Sequence, residues 1–273
     1  MTNRKRIVIT GAGSGFGREA SLVLAGKGHE VIAAVQFPGQ VDEMVSEASA
    51  RGVSLRVEKL DLLSEADRQA ALGWEVDVLV NNAAIGHGGP IAEIPLELVR
   101  EVFEVNVFAT LALTQGVVRG MVARGRGRVL FVSSIAGLTA GAYLGAYAAS
   151  KHALEAIAEA MSRELAPHGI GVATLNPGPY ATGFNERMIE SPMRWYDPSH
   201  HFTRPDDLAS LGRRFERQFD PGELVRAMVE LAESDSGLYR NVHPKESEEL
   251  VRTRQRDAWT RRQTPPLDHI EAV

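Results

Sequence analysis

Short apolar, β-branched runs alternate with longer segments of helical period as far as Gly178. Six such runs occur in order: RIVIT (6–10), EVIAAV (30–35), SLRVEKLD (54–61), VDVLVNNA (76–83), RVLFVSS (128–134) and GVATLNPG (171–178). Runs that are apolar throughout are typical of strands buried on both faces of a parallel sheet, and the helical segments between them supply the crossovers. The alternation therefore predicts an α/β fold built from βαβ units.

The regular pattern ends after Gly178. Residues 179–220 carry no strong period, whereas residues 221–233 form a helical pattern with Pro221 suited to its first turn. The run LYRNVHP (238–244) is expected to be a last short strand. From residue 245 to about 263 the tail is acidic first and basic later, which suits a helix dipole and predicts a solvated terminal helix. Because there is no internal repeat or linker, residues 1–273 are predicted to form a single domain.

The late insertion, about residues 183–220, contains large apolar side chains in an otherwise polar region. These are Phe184, Met188, Met193, Trp195 and Tyr196. Long loops in compact domains are commonly functional lids. We expect the insertion to close over an apolar, cyclic or aromatic substrate, with Met193 and Trp195 in the pocket wall. The alternative is an ordinary surface excursion or a subunit contact.

Composition argues against several classes of function. The formal net charge of −5 argues against nucleic-acid binding, which needs a basic face, and the absence of cysteine excludes disulfides, thiolate nucleophiles and Cys-ligated metals. The apolar run near the N-terminus is too short for a signal peptide, and no window approaches the run of about eighteen apolar residues that spans a bilayer. We therefore expect a cytoplasmic protein that binds neither nucleic acid nor membrane.

The sequence TGAGSGFG (10–17) follows the first strand and opens the first predicted helix. Glycines at such a turn permit close approach of the backbone to a pyrophosphate, which then lies at the helix N-terminus. By itself, a glycine-rich turn also serves simply to connect a strand to a helix. Its position directly after the first strand favours nucleotide binding.

Six motifs together resemble the short-chain dehydrogenase/reductase family. They are TGAGSGFG (10–17), NNAA (81–84), VNVF (105–108), SS (133–134), YAASK (147–151) and NPGPYAT (176–182), in the family's order and spacing over about residues 5–182. The resemblance implies a Rossmann-like, doubly wound parallel sheet of about seven strands. It also implies an NAD(P)-dependent oxidoreductase that interconverts a secondary alcohol and a ketone on a small molecule.

Tyr147 and Lys151 stand one helical turn apart, so their side chains share a helix face. A phenol titrates near pH 10 and is a poor base at neutral pH, but a nearby cation and a helix N-terminus both favour the phenolate. We therefore expect the pKa of Tyr147 to be lowered, which suits a general acid/base that moves an alcohol proton. The resemblance adds Ser134, which would bond the substrate oxygen, and Asn106, which would bind a water in a proton relay.

Ser134 and Asn106 have alternatives, and His87 is a further candidate residue. Neighbouring side chains on a strand point in opposite directions, so only one of Ser133 and Ser134 can serve. The family's serine-to-tyrosine spacing favours Ser134, and Ser133 is then expected to be a satisfied structural hydroxyl. The alternative for Asn106 is a structural amide. His87 could be a second catalytic base, but a loop histidine without a partner is more often a surface residue.

By the same resemblance, NAD(P)(H) would be bound by residues from several of these motifs. The predicted cofactor-binding residues are Gly11, Ser14, Gly15, Phe16, Gln36, Asp61, Leu62, Asn82, Ala83, Tyr147, Lys151, Pro177, Gly178 and Thr182. Two positions depart from the family: Ala84 replaces the usual glycine, and strand two ends at Val35 and Gln36 with neither the usual acid nor the usual arginine. Because a 2′-phosphate would meet no cation there, NAD is favoured over NADP, with modest selectivity.

Two other functions fit parts of the pattern. A sugar-nucleotide epimerase or dehydratase uses the same Tyr/Lys pair, although such enzymes are usually longer and carry a Gly-x-x-Gly-x-x-Gly turn. A non-catalytic cofactor-sensing protein is the other, although such proteins typically lack the tyrosine or the serine.

No metal site is predicted, since His200 and His201 have no identifiable carboxylate partner at metal-ligand spacing. Alanines along the helix from Tyr147, together with the resemblance, predict a homodimer or homotetramer with an isologous interface.

Overall fold

Seven strands pair in parallel into one sheet in the computed structural model, which describes residues 4–262. The strands are β1 (Arg6–Thr10), β2 (Glu30–Val35), β3 (Arg56–Lys59), β4 (Val78–Asn81), β5 (Gly127–Val132), β6 (Ile170–Pro177) and β7 (Arg240–His243). Their order is β3-β2-β1-β4-β5-β6-β7, so the chain starts in the middle of the sheet and builds each half in turn. The predicted Rossmann-like, doubly wound sheet is confirmed, and its crevice lies where the strand order reverses, between β1 and β4.

Helices connect the strands and cover both faces of the sheet. The α-helices are α1 (Gly15–Gly26), α2 (Pro38–Ala50), α3 (Glu65–Ala71), α4 (Leu96–Phe103), α5 (Thr110–Arg124), α6 (Gly145–Leu165), α7 (Phe184–Glu190), α8 (Pro205–Arg213), α9 (Pro221–Glu233) and α10 (Lys245–Ala258). A π-helical turn, Glu104–Ala109, joins α4 and α5 into one continuous rod. Short 3-10 helices occupy Ile135–Gly137, Ala166–His168 and Ser191–Arg194.

The two faces of the sheet are buried under different helices. On one face α1 and α9 place Leu24 and Met228 in the same buried cluster as Ile9. On the other face α5 and α6 place Leu113 and Leu154 in a cluster with strand residues of β4 and β5. Strands covered on both sides need apolar side chains in both directions, which explains the continuous apolar runs in the sequence.

The rod Leu96–Arg124 is long and apolar enough, by length and composition alone, to cross a membrane. Its most apolar 18-residue window has a mean hydropathy of 1.3, and 56% of that window is buried inside the fold. Leu113, Val117 and Met121 account for part of this burial, because they belong to the core cluster beside the sheet. The expectation that no segment comes near this threshold is therefore wrong, since a core helix of an α/β domain needs a broad apolar face.

Residues 179–220 hold more regular structure than the sequence indicates. Helices α7 and α8 lie in this region, and they are only seven and nine residues long, too short to show a clear period. Helix α8 has Pro205 in its first turn, followed by Asp206 and Asp207, which suit the positive end of a helix. The helix expected at residues 221–233 and the expected last strand are both present, as α9 and β7.

The expected terminal helix is present as α10; most of its residues are exposed, and one side is buried against the domain. Ser247 and Val251 are buried, and Val251 shares an apolar cluster with Leu138 and Val242. The helix ends at Ala258, and residue 263, where the predicted tail ends, lies outside the described residues. This packing brings the last helix to the edge of the crevice.

Candidate active site

A cavity of about 850 Å³ opens at the carboxyl ends of the strands. One end is formed by the glycine turn after β1 and by the residues that follow β2 and β3, and the other by α6, α7 and α10. All the residues predicted to bind the cofactor line this cavity, and so does Ser134. Asn106 is buried outside the lining.

The glycine turn is held close to the loop after β4. Gly11 has φ +65°, and a Cβ built on it would lie 2.8 Å from the Cα of Ala83, so both the conformation and the space require glycine. Thr10 Oγ1 accepts hydrogen bonds from the backbone nitrogens of Asn82 and Ala83, both at 3.0 Å. Asn82 Nδ2 donates to the carbonyl oxygen of Thr10 at 2.9 Å. These bonds fix a cradle of backbone at the start of α1 that fits a pyrophosphate.

The end of β2 places Gln36 in the cavity and Val35 in the core. Val35 is fully buried in an apolar cluster with Leu22 and Met44, so its side chain does not face the cavity. Gln40, which sequence reasoning missed, also lines the cavity, and its Oε1 accepts from the backbone nitrogens of Gln36 and Phe37 at 3.1 and 3.0 Å. A glutamine at the third position of a helix that opens with proline is a capping signal that could have identified it.

Ser134 and Tyr147 meet at the far end of the cavity. Ser134 caps the short helix that follows β5: its Oγ accepts from the backbone nitrogen of Ala136 at 3.0 Å. The same hydroxyl donates to the carbonyl oxygen of Pro177 at 3.5 Å and lies close enough to the Tyr147 phenol to lower the pKa of that phenol. Ser133 Oγ is buried and has no hydrogen-bond partner among the described residues, so the expectation that it is satisfied is wrong.

The pKa of Tyr147 is raised in the protein without a ligand, contrary to the sequence prediction. Burial raises the pKa of this phenol to about 12, and the hydrogen bond with Ser134 offsets only part of that rise. Lys151 Nζ lies 5.7 Å from the centre of the Tyr147 ring and donates instead to the carbonyl oxygen of Val132 at 2.9 Å. Its own pKa falls to about 8 because the ammonium is buried, partly offset by the nearby Glu155 carboxylate. Sharing a helix face therefore does not make the lysine acidify the phenol.

Asn106 lies in the π-helical turn, and its side chain is used in structural hydrogen bonds. The amide bonds both main-chain polar groups of Ile85 and the hydroxyl of Ser150. Both of its N–H donors are therefore occupied. We regard Asn106 as a positioning residue, and a role of its side chain in binding a relay water stays a prediction.

The lid predicted at about residues 183–220 contributes different residues to the cavity from those expected. Phe184 and Met188 line it, and the Phe184 ring centre lies 5.5 Å from that of Tyr147. Met193 is 83% exposed and Trp195 packs over Gly89, so neither forms part of the wall. The prediction for these two residues is wrong because the chain turns away from the cavity after α7.

His87 has two partners, so its assignment as a simple surface residue is also wrong. Its Nδ1 lies 2.9 Å from Ser191 Oγ and its Nε2 lies 3.0 Å from Glu101 Oε2. It does not line the cavity. This histidine bonds both the segment after α7 and helix α4. These bonds hold the inserted region against the helix Leu96–Arg124.

Helix α10 and the segment after α8 supply cavity residues that sequence reasoning missed. Glu246, Leu250 and Arg254 line the cavity from α10, and Arg214 and Phe215 line it from the end of α8. The α10 residues are four apart, which places them on one helix face, and that spacing is the signal that could have found them. Within residues 4–262, no three His, Asp or Glu side chains are arranged to hold a metal ion.

The family model described as short chain dehydrogenase matches residues 5–192, which hold the glycine turn, Ser134, Tyr147 and Lys151. The chain belongs to the short-chain dehydrogenase family. It is therefore an oxidoreductase of that family. The uncharacterized oxidoreductase YusZ of Bacillus subtilis is 33% identical over 239 residues, 84% of this chain and 85% of YusZ. Human retinol dehydrogenase 8 is 33% identical over 192 residues, 68% of this chain and 62% of that protein.

Solved structures of short-chain dehydrogenases share the fold of most of this chain. A short chain dehydrogenase/reductase from Burkholderia phymatum in complex with NAD has a TM-score of 0.80 and 25% identity, covering 98% of this chain and 99% of that one. A variant of actinorhodin polyketide ketoreductase with NADPH has a TM-score of 0.73 and 26% identity, covering 89% of this chain and 96% of that one. Structures with either nicotinamide cofactor are thus among those similar to this one.

Proposed function

We propose that this protein is an NAD(P)-dependent oxidoreductase that interconverts a secondary alcohol and a ketone on an apolar small molecule, with Tyr147 as general acid/base. The strongest support is a single cavity that combines a nucleotide-binding turn with a proton-transfer group. The glycine turn lies at one end, and Ser134, Tyr147 and Lys151 meet at the other. An enzyme of this kind needs a dinucleotide and a proton-transfer group in the same enclosed space.

The lining fits a dinucleotide. The backbone cradle at Gly11–Gly15 would hold the pyrophosphate, and Lys151 has three N–H donors of which Val132 occupies one, so it can also bond the nicotinamide ribose. When bound, the cofactor supplies the hydride acceptor or donor. Ser134 would hold the substrate oxygen. In reduction, the protonated Tyr147 phenol donates its proton to the carbonyl oxygen. In oxidation, the phenol first releases its own proton to water, and the phenolate then takes the hydroxyl proton.

We propose NAD as the preferred cofactor, with modest selectivity. The cavity residues beside the end of β2 are Gly13, Gln36, Phe37 and Gln40, all uncharged. The described basic residues of the lining lie on α6, α7, α10 and the segment after α8. A 2′-phosphate at this end would lose its hydration without a charge-assisted bond in return, whereas amides can bond the free ribose hydroxyls of NAD.

An apolar substrate fits the walls around the Tyr147 phenol. Phe184 and Met188 line this part of the cavity, and Phe215 and Phe219 add apolar lining elsewhere. Human retinol dehydrogenase 8 is named for an apolar alcohol, and its similarity to this chain supports an apolar substrate here. Such a lining strips water from the reacting carbon and alcohol, which strengthens the polar interactions of Ser134 and Tyr147 with the substrate.

The test is steady-state oxidation of a panel of secondary alcohols, including 2-decanol, cyclohexanol and 1-phenylethanol, with NAD and with NADP. We expect turnover with at least one apolar alcohol and a higher kcat/KM with NAD. Tyr147→Phe should lower kcat by ~10²-fold or more while the protein still binds reduced cofactor by fluorescence. Near-normal turnover of Tyr147→Phe would rule out the proposed proton transfer.

A two-fold assembly is a further part of the proposal. On the side of α6 away from the sheet, Ala149, Ala156 and Ala160 are exposed, and Phe108 on the neighbouring rod is also exposed. Small residues allow close approach of helices, and an exposed aromatic side chain beside them gives apolar area to bury. Light scattering at micromolar concentration should give the mass of a dimer or tetramer, and a monomer would contradict the assembly.

A further inference from the structure

The substrate end of the cavity is more basic than the rest of the protein. The whole chain has 30 Lys and Arg against 35 Asp and Glu. The described lining away from the β2 and β3 ends carries Arg187, Arg214 and Arg254 at its rim, opposed by Glu246 alone. An acidic protein that presents several guanidinium groups at the mouth of an apolar cavity has a local potential suited to an anion.

The positions of the three arginines separate one of them from the others. Arg187 Nη1 is 3.2 Å from a Cβ built on Gly183, and the adjacent Thr182 packs against Gly15 of the glycine turn. Arg187 therefore lies towards the cofactor end. Arg214 and Arg254 come from the end of the lid segment and from α10, and both line the cavity.

Arg214 and the residue after Arg254 contact the same short loop. Arg214 Nη1 lies 2.6 Å from a Cβ built on Gly141, so the guanidinium occupies space that any other residue at 141 would fill. The residue next to Arg254, Gln255, donates from Nε2 to the carbonyl oxygen of Leu138 at 3.1 Å. Leu138 and Gly141 are three residues apart, which spans ~10 Å at most. Arg214 therefore lies against this loop, Arg254 is one residue from the side chain that bonds it, and both arginines are exposed residues of the cavity lining.

Neither guanidinium is neutralised within the part of the chain that the structure describes. No carboxylate of residues 4–262 forms an ion pair with Arg214 or Arg254, whereas Arg252, on another face of α10, pairs with Glu248 at 2.7 Å. Arginine carries five donors in a planar fork that matches a carboxylate or a phosphate. The apolar wall at Phe215 lies directly beside Arg214 in the chain, so an anionic head and an apolar body would be recognised together.

We propose that the substrate is an apolar alcohol or ketone with an anionic group, a carboxylate or a phosphate, that binds between Arg214 and Arg254. This inference rests on the proposed function, because it defines the substrate class of the same cavity. The anionic group fixes the orientation of the molecule, so that the carbon to be oxidised or reduced faces Tyr147 and the charged end remains at the mouth.

The first experiment measures binding without turnover. Calorimetric titration of the wild-type protein with octanoate and with octanamide, a neutral analogue of similar shape, should give at least tenfold tighter binding of octanoate. Arg214→Ala and Arg254→Ala should each reduce that preference at least fivefold. The matched controls Arg213→Ala and Arg252→Ala remove a charge from the same elements outside the lining and should leave it within twofold. Equal affinity for acid and amide in the wild type, or an equal loss in the controls, overturns the proposal.

The second experiment separates the anion site from the proposed reaction. The kcat/KM for 9-hydroxydecanoate should exceed that for its methyl ester at least tenfold, and added salt should reduce the difference because it screens the charges. If alcohols are oxidised with no preference for the acid, the anion site is wrong and the oxidoreductase function stands. If octanoate binds through both arginines but no alcohol is oxidised, the anion site stands and the proposed function fails. Tighter binding of octyl phosphate than of octanoate assigns the site to phosphates.

Discussion

Asn106 pairs with both main-chain polar groups of Ile85: its Oδ1 accepts from the amide nitrogen at 2.9 Å and its Nδ2 donates to the carbonyl oxygen at 2.8 Å. The same Nδ2 donates to Ser150 Oγ, which donates in turn to the carbonyl oxygen of Tyr147 at 2.7 Å. One buried amide therefore connects the loop after β4, which lines the cavity, to the helical turn that carries the phenol.

Replacement of this amide should cost both stability and catalysis. Asn106→Ala leaves the two polar groups of Ile85 unpaired, and we expect the free energy of unfolding to fall by ~3 kcal/mol. Turnover should fall as well, because the loop and Tyr147 lose their common anchor. Urea unfolding and steady-state kinetics check both. The control is Asn81→Ala, a buried amide that bonds Thr114, which should lose stability with a smaller effect on kcat.

Lys151 should lower the stability of the protein at neutral pH. The pKa of its ammonium falls from 10.5 to about 8 on burial, which corresponds to ~3 kcal/mol against the charged form. Lys151→Met removes this cost but leaves the carbonyl of Val132 unpaired, so a net gain of ~2 kcal/mol at pH 7 is expected, with activity lost. Lys245→Met, at an exposed position, should change little.

The stability gained by Lys151→Met should decrease as the pH rises. Below pH 8 the lysine is charged in both the folded and the unfolded chain, and the full cost of burial is present. Between pH 8 and 10.5 the folded protein has lost a proton that the unfolded chain retains, so wild-type stability rises with pH. The advantage of Lys151→Met should therefore shrink between pH 7 and pH 10 in urea titrations. A constant advantage would show that the ammonium is not the cause.

The Tyr147 phenol should stay protonated in the protein without cofactor. Burial raises its pKa to about 12, and the only described opposing effect is the hydrogen bond with Ser134. The ultraviolet absorbance of tyrosinate, compared between wild type and Tyr147→Phe, should show no ionisation of this residue below pH 10. An extra phenolate near pH 7 would show that Lys151 acidifies it unaided, as the helix spacing alone suggests.

The fold and most of the site residues could be predicted from the sequence because they depend on local patterns. Continuous apolar runs mark buried parallel strands, and the glycine turn and Tyr147 with Lys151 follow elements in register. The pKa of Tyr147 was beyond such reasoning, since it depends on how deeply the phenol is buried and where the lysine ammonium finds its acceptor. Spacing determines which side chains share a helix face, but not which hydrogen-bond partner each side chain takes.

Contacts between distant segments were also beyond sequence reasoning. The partners of His87 come from α4 and from the segment after α7, and no local pattern relates them. The place of α10 in the cavity wall depends on the packing of Val251 against Leu138, more than a hundred residues earlier. Trp195 looked like a pocket residue by its chemistry, yet its ring covers Gly89.

The lid should act through Phe184 and Met188. Phe184→Ala removes the ring beside Tyr147, and we expect the substrate KM to rise by ~10-fold with little change in the cofactor KM, because the loss is confined to apolar contact. Met193→Ala, in the same segment but exposed, is the matched control and should stay within twofold of wild type. Equal effects on the KM of substrate and cofactor would show that Phe184 supports the whole site rather than the lid.

Cofactor preference should respond at Gln36. Gln36→Asp places a carboxylate at the exposed end of β2 and should sharpen the preference for NAD, whereas Gln36→Arg should raise kcat/KM with NADP by ~10-fold. Val35→Asp, which the strand end suggests as an equivalent change, should instead destabilise the protein, because Val35 is fully buried. A wild-type kcat/KM much higher with NADP would contradict the NAD preference.

The chain order gives the two ends of the cavity different times of synthesis. The glycine turn, Ser134, Tyr147 and Thr182 have all been made before α10 begins at Lys245. At a translation rate of ~5–20 residues per second, the last wall follows Thr182 by ~3–12 s. A growing chain therefore completes its dinucleotide cradle while the mouth of the cavity is still open on one side.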